Sequence, residues 1–143
     1  GHCLPVDPYY FSYVCKKKKF NTKITLAGRN TNDSMTQIVI DNIKHYIKSK
    51  KIEKKKILIC GLTYKKNVAD IRNSLSLKIF NKIKKNNIKG YDPLIDDRTS
   101  KKLGLINKKE EFKKFNVYVL LTKHTILEKY LKKLKNKIII NPI

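Results

Sequence analysis

Apolar positions recur along this chain with two different periods, and the change falls near residue 52. Up to that point the spacing is helical. An extended stretch opens the chain from His2 to Pro8, where Pro5 and Pro8 forbid a regular helix. Tyr10, Tyr13 and Val14 then share one face of a helix predicted from Tyr9 to Lys18. Leu26, Met35, Ile38, Val39, Ile43, Tyr46 and Ile47 recur at three- and four-residue intervals and predict a long helix from Ile24 to Lys48, weakened locally by Gly28. So little chain precedes this helix that its apolar stripe is expected to pack on a domain outside this sequence or on a second subunit.

Beyond residue 52, short apolar runs alternate with amphipathic ones. Lys56 to Cys60 (KILIC) enters Gly61 as a buried parallel strand does. Asn73 to Lys85 carries Leu75, Leu77, Ile79, Phe80 and Ile83 on a helical stripe. Ile88 to Tyr91 is a second strand, ending in the turn Asp92-Pro93, and Asn116 to Leu121 (NVYVLL) is a third. A helix from Thr125 to Leu134 and a strand from Lys137 to Ile140 complete the pattern. Such alternation predicts an α/β fold, a Rossmann-like, doubly wound and mostly parallel sheet preceded by the long helix. Residues 1–52 and 53–143 are expected to be separate domains. Ligands of these sheets sit outside the carboxyl ends of the strands, which directs attention to the loops after Cys60, Tyr91 and Leu121. The first of these reads GLTYKKN, with Gly61 alone, so the dinucleotide fingerprint GxGxxG is absent.

Composition changes this picture little. The formal net charge of +23 invites a nucleic-acid-binding module. However, nearly all of the 34 Lys and Arg residues are Lys, and Arg occurs only at 29, 72 and 98, whereas base-reading surfaces favour the planar fork of Arg. The lysines are spread among Ile and Asn along the whole chain, which fits compositional bias and a solvated surface, with weak attraction of polyanions at runs such as Lys16 to Lys19. No apolar run reaches membrane-spanning length. Cys3, Cys15 and Cys60 are odd in number and show neither a CxxC pair nor metal-ligand spacing with His. A reduced, cytoplasmic protein without a metal site is expected.

Reactive groups concentrate in GHCLPVDPYY. Cys3 lies in an irregular, proline-stiffened segment with Asp7 four residues on, which is compatible with a cysteine nucleophile and a carboxylate nearby, although the residues by themselves favour a buried structural cysteine. His2 and Cys3, as neighbours in extended chain, point apart and are not read as an activating pair.

These residues carry a resemblance. GHCLPVDPYY resembles the GGHCIPVDPYY-type motif of the UDP-glucose/GDP-mannose dehydrogenase family, whose cysteine is the catalytic nucleophile. LAGRNTNDSM (Leu26 to Met35) is similar to the LAGRxxNDxM stretch of that family's central helix. GLTYKKNVADIRNS (Gly61 to Ser74) resembles the GLxFKxNxxDxRNS motif that opens its UDP-binding domain. Tyr91-Asp92-Pro93 matches its YDP turn, and Leu121 to His124 its T-x-H element. The motifs run in order along almost the whole chain. Leu75 departs from the Pro of many relatives, which leaves the start of that helix open. The LAGR and GLTYKxN spellings most resemble the branch acting on UDP-N-acetylhexosamines, the Vi-polysaccharide type of UDP-N-acetylglucosamine 6-dehydrogenase. UDP-N-acetylmannosamine, UDP-N-acetylgalactosamine and UDP-glucose dehydrogenases would leave much the same record.

The resemblance implies a C-terminal part of an enzyme of polysaccharide biosynthesis that oxidises a sugar C6 alcohol to a carboxylate with two NAD⁺ in succession. It assigns Cys3 as nucleophile, Asp7 as the carboxylate that orients or deprotonates water, and Tyr64 with Lys65 as contacts to the UDP-sugar. Arg72 would reach toward the NAD, which another domain would hold. Asp70 either orients Arg72 or caps the following helix. It further implies a homodimer through the long helix, and that this chain alone is inactive. Other residues receive blander expectations: Cys60 and Cys15 as packing residues, tyrosines 9, 10 and 13 as packing groups, His124 as shaping the loop after the third strand, and Asp92 as either a ribose carboxylate or a turn residue.

Overall fold

The computed structural model describes residues 3–134 and 137–142. They form two compact units, residues 1–38 and 39–143.

The first unit holds helix α1 (Asp7–Lys17) and the beginning of helix α2 (Lys23–Ser49). Helix α1 begins two residues before the expected Tyr9, and Pro8, expected to exclude a helix, sits in its first turn, where its missing N–H costs no helical bond. Thr22, just before α2, donates from Oγ1 to Ser12 Oγ at 2.7 Å and so ties the connection back to α1. The described part of this unit buries no large apolar side chain. Tyr10, Phe11, Tyr13, Phe20 and Ile24 are exposed, Ile24 by 90%. The tyrosines expected to pack therefore lie on the surface of α1, because two short helical segments enclose no interior for them.

The second unit begins inside α2. Val39, Ile40 and Ile43 on the later turns of that helix are buried, joined by Tyr46, Ile47 and Ile52. This half of the stripe is covered by its own chain, where the spacing had predicted an outside partner. The covering surface is a sheet that the chain forms only later, so no local signal announces it.

The sheet comprises β1 (Ile57–Cys60), β2 (Ile88–Tyr91), β3 (Val117–Leu120) and β4 (Ile138–Ile140), all parallel, in the order β2-β1-β3-β4. Ile57 aligns with Ile88 on one side and Val117 on the other. Alternate side chains face opposite layers. Ile57, Ile59, Val117 and Val119 meet the end of α2 and helix α3 (Leu75–Ile83), through its Ile79, Phe80 and Ile83. Leu58, Cys60, Tyr118 and Leu120 meet Phe112 of a 3₁₀ helix (Lys109–Lys114), Phe115 just after it, and Leu127 and Leu131 of helix α5 (Thr125–Leu131). Both faces are thus covered, which explains the unbroken apolar runs. A short helix α4 (Asp97–Leu103), capped by Asp96 at its start and left-handed Gly104 at its end, escaped the periodicity because it carries no apolar stripe. The chain leaves β1 for β2 on one side and β3 on the other. The gap between the ends of β1 and β3 is the topological switch point, where open α/β sheets bind ligands.

Candidate functional site

The loop from Gly61 to Ser74 lies over that switch point. Gly61 has φ +79°, and a Cβ there would stand 2.0 Å from the Thr122 carbonyl oxygen, so only glycine allows the two strand ends to meet. Beyond it the loop is stitched to β2 and β3 from below. Asp92 Oδ2 accepts the N–H groups of Leu62 (2.6 Å) and Thr63 (3.0 Å), and Oδ1 accepts that of Leu94 (2.9 Å). His124, fully buried, places Nε2 3.1 Å from Asp92 Oδ2 and 2.9 Å from Thr63 Oγ1. Its Nδ1 accepts the backbone N–H of Asn67 at 2.9 Å. Because a backbone N–H can only donate, Nδ1 carries no proton, and the neutral ring holds its hydrogen on Nε2, directed at Asp92 and Thr63.

Burial pushes the Asp92 carboxyl up, but the hydrogen bonds from His124, Leu94 and Leu62 outweigh it and hold Asp92 below the usual carboxylate range. Both oxygens are spent on this network. Asp92 is therefore the anchor of a turn and offers nothing to a ribose. His124, expected to shape the loop after β3, instead holds the loop after β1. Cys60 is a core residue, its thiol pushed up by burial and by nearby Asp92.

Above the network the loop turns back on itself. Asn67 takes φ +59° in the tight turn that pairs Lys65 with Val68, and its side chain clasps α5 by accepting from Thr125 N (3.0 Å) and donating to Thr125 Oγ1 (2.9 Å). Asparagine tolerates this left-handed backbone better than most residues. Lys66 pairs with Glu128 at 2.9 Å. Tyr64 donates its N–H to the Asp70 carbonyl (2.7 Å), which draws the two limbs of the loop together. Tyr64 is half-buried and Lys65 exposed. Asp70 Oδ2 meets Arg72 Nη2 at 2.7 Å, and Oδ1 accepts the Arg72 N–H at 2.9 Å. Asp70 therefore orients Arg72, which remains 79% exposed, while the cap of α3 belongs to Ser74, whose Oγ accepts from Leu77 N and donates to Leu62 O. With Ser74 as its cap, α3 starts at Leu75, the position where many relatives carry Pro. One loop thus brings together Tyr64, Lys65 and Arg72 at the carboxyl end of the sheet. Thr63, Asn67 and Thr122, which hold it, were not singled out from the sequence. The one local signal was Asn67, a turn-former between Lys66 and Val68.

Cys3 and Asp7 belong to the first unit. The Cys3 carbonyl accepts the N–H groups of Val6 and Asp7, both at 2.8 Å, so a tight turn sets Cys3 at the head of the helix that Asp7 begins. Both residues are exposed. His2 lies outside the described residues. Tyr9, two residues into α1, donates its hydroxyl to Asp33 Oδ2 at 3.0 Å, and Arg29 pairs with the other oxygen of Asp33 and donates to Asn32 Oδ1 at 3.2 Å. The LAGRNTND segment is thereby fastened to the segment bearing Cys3.

The second unit fits an NAD pyrophosphate poorly. Its β1 loop has one glycine, whose open side is filled by Thr122, and its candidate ribose carboxylate is engaged.

Comparison with known proteins agrees with this architecture. Residues 58–142 match the UDP-glucose/GDP-mannose dehydrogenase family, UDP binding domain. A UDP-N-acetyl-D-mannosamine dehydrogenase of Methanococcus vannielii is 32% identical over 99% of this chain and 34% of its own length. A UDP-N-acetyl-D-glucosamine 6-dehydrogenase of Salmonella typhi is 35% identical over 74% of this chain and 26% of its own. Among solved structures, a UDP-D-ManNAc dehydrogenase from Pyrococcus horikoshii superposes with a TM-score of 0.70 at 26% identity, covering 100% of this chain and 35% of that one. The chain belongs to the UDP-glucose/GDP-mannose dehydrogenase family, and it spans 26–35% of the length of these relatives.

Proposed function

We propose that this chain is the part of an NAD-dependent nucleotide-sugar 6-dehydrogenase that carries the catalytic cysteine and the UDP-binding domain, and that the whole enzyme acts on a UDP-N-acetylhexosamine. The observation that carries this reading is the stitched loop at the switch point, which presents Tyr64, Lys65 and Arg72 together in a chain of this family. Residues 1–52 would end a central helical domain and residues 53–143 would bind the UDP moiety. Lys65 supplies a point charge for the diphosphate, and Tyr64 an aromatic face beside it. Arg72, held by Asp70, extends toward the cofactor.

NAD⁺, held outside this chain, would accept the hydrides. Within the chain, the Cys3 thiolate adds to the C6 aldehyde to give a thiohemiacetal, and after the second oxidation it leaves from the thioester as water attacks. A thiolate suits both steps, being a good nucleophile and a good leaving group. Asp7 takes the proton of that water, a role worth on the order of 10²–10⁴-fold. The spelling of the LAGR and GLTYK motifs favours UDP-N-acetylglucosamine. The match to a UDP-N-acetyl-D-mannosamine dehydrogenase along 99% of the chain supports the mannosamine epimer as the second reading. The exposed apolar residues of α1 and early α2 support a homodimer through the long helix. Three free thiols fit the cytoplasm.

The test is NADH formation by the full-length enzyme with UDP-N-acetylglucosamine, UDP-N-acetylgalactosamine, UDP-N-acetylmannosamine and UDP-glucose in parallel. Two NADH per sugar with one preferred substrate, abolished by Cys3→Ser, is the expected result. A folded enzyme that forms no NADH with any of them would overturn the reading.

A further inference from the structure

We propose that His124 is a positioning residue for UDP, a ring from the end of β3 that fixes the backbone of the loop displaying Tyr64 and Lys65; the inference rests on the reading of those two residues as UDP contacts. Tyr64, Lys65 and Lys66 lie between Thr63 and Asn67, and the imidazole engages both ends, with Nε2 2.9 Å from Thr63 Oγ1 and Nδ1 accepting from Asn67 N at 2.9 Å. The ring is itself fully buried and anchored by Asp92 Oδ2 at 3.1 Å. Its two nitrogens play opposite parts, acceptor toward Asn67 and donor toward Asp92 and Thr63, so the ring's tautomer and orientation are both set by the fold.

The consequence concerns binding. A lysine is a point charge on a long flexible stem, and where it delivers that charge depends on where its backbone stands. The bond to Asn67 stabilises a left-handed residue, φ +59°, in the turn that follows Lys65. Without it, the turn keeps only side-chain anchors, the Asn67 bonds to Thr125 and the Lys66–Glu128 pair, and more of its backbone must be ordered when the nucleotide arrives. That ordering cost falls on affinity. His124 touches no reacting atom in this scheme, so it should act on substrate binding and leave the chemical step alone.

The experiment measures UDP binding by calorimetry for the wild-type chain and for His124→Phe, Lys65→Ala and Leu127→Ala. Phe keeps a ring of similar size but none of the hydrogen bonds to Thr63, Asn67 and Asp92. Leu127, buried on α5 and outside the network, reports what general loosening of this region does. His124→Phe is expected to weaken UDP binding about tenfold or more, the scale of one or two lost buried hydrogen bonds. Leu127→Ala should stay within about twofold at temperatures where it is folded. In the full-length enzyme, His124→Phe should raise KM for the UDP-sugar with kcat unchanged. Wild-type affinity in His124→Phe, or an equal loss in Leu127→Ala, would overturn the inference. Should His124→Phe not fold, amide hydrogen exchange on the unaltered chain decides: Asn67 is expected to exchange far more slowly than Lys66, and equal rates would overturn it. A wild-type chain that does not bind UDP, or a Lys65→Ala variant that binds it normally, refutes the underlying assignment of the loop instead.

Discussion

Asp92 brings a carboxylate into a place where its side chain meets no solvent, and the fold tolerates it because each oxygen is met by donors. Its carboxyl is held below the ordinary range in the folded chain, so it contributes stability that is complete above its unfolded value of about 3.9 and is lost as pH falls through the lower folded value. Asp92→Asn should therefore be less stable than wild type at neutral pH and should lose less on acidification from about pH 5 to pH 3. Urea midpoints across that interval check this, and parallel curves would reject it. Gly61 makes a sterner demand. With φ +79° and the Thr122 carbonyl where its Cβ would stand, Gly61→Ala should cost about 3 kcal/mol or more, visible as a fall in the denaturation midpoint. A change within about 0.5 kcal/mol, the size of an ordinary surface substitution, would show that the strand ends need not touch. At this scale the motif residues were legible, but their bonds were not. His124 meets Thr63 and Asn67 from 61 and 57 positions away, and no local pattern encodes that distance.

Single elements here serve different masters along their length. Helix α2 looks continuous in spacing, yet its residues from Val39 onward pack in the core of the second unit while Ile24 is 90% exposed. Ile43→Ala should destabilise the chain by about 2–4 kcal/mol, and Ile24→Ala by less than about 0.5 kcal/mol. Thermal or urea unfolding of the two variants side by side would reveal equal effects if the division were wrong. Helix α4 shows the opposite case. It is capped by Asp96 and Gly104 but carries no apolar stripe, and an element without one is invisible to periodicity.

Across the molecule, the net charge of +23 rests on lysines along the whole chain, with no described helix long and apolar enough to cross a membrane. Such a surface should hold DNA by counterion release alone. Fluorescence anisotropy should find affinity indifferent to sequence and falling by orders of magnitude between about 50 and 200 mM salt. A sequence-selective complex surviving at about 0.3 M salt would restore the nucleic-acid reading that the Arg-poor composition disfavours.

The sequence by itself determined the four strands and the helices that carry an apolar stripe, because the sheet is buried on both faces and short apolar runs between amphipathic ones admit few alternatives. It also determined the family resemblance, since GLTYKKN, YDP and TKH stand in the order the fold requires. Tertiary structure alone decided what those motifs do to one another. The strand order β2-β1-β3-β4 sets the ends of β1 and β3 side by side, and only then do Gly61, Asp92 and His124 become neighbours. Hydrogen bonds between residues far apart in the chain depend on that crossing, which no window of sequence contains.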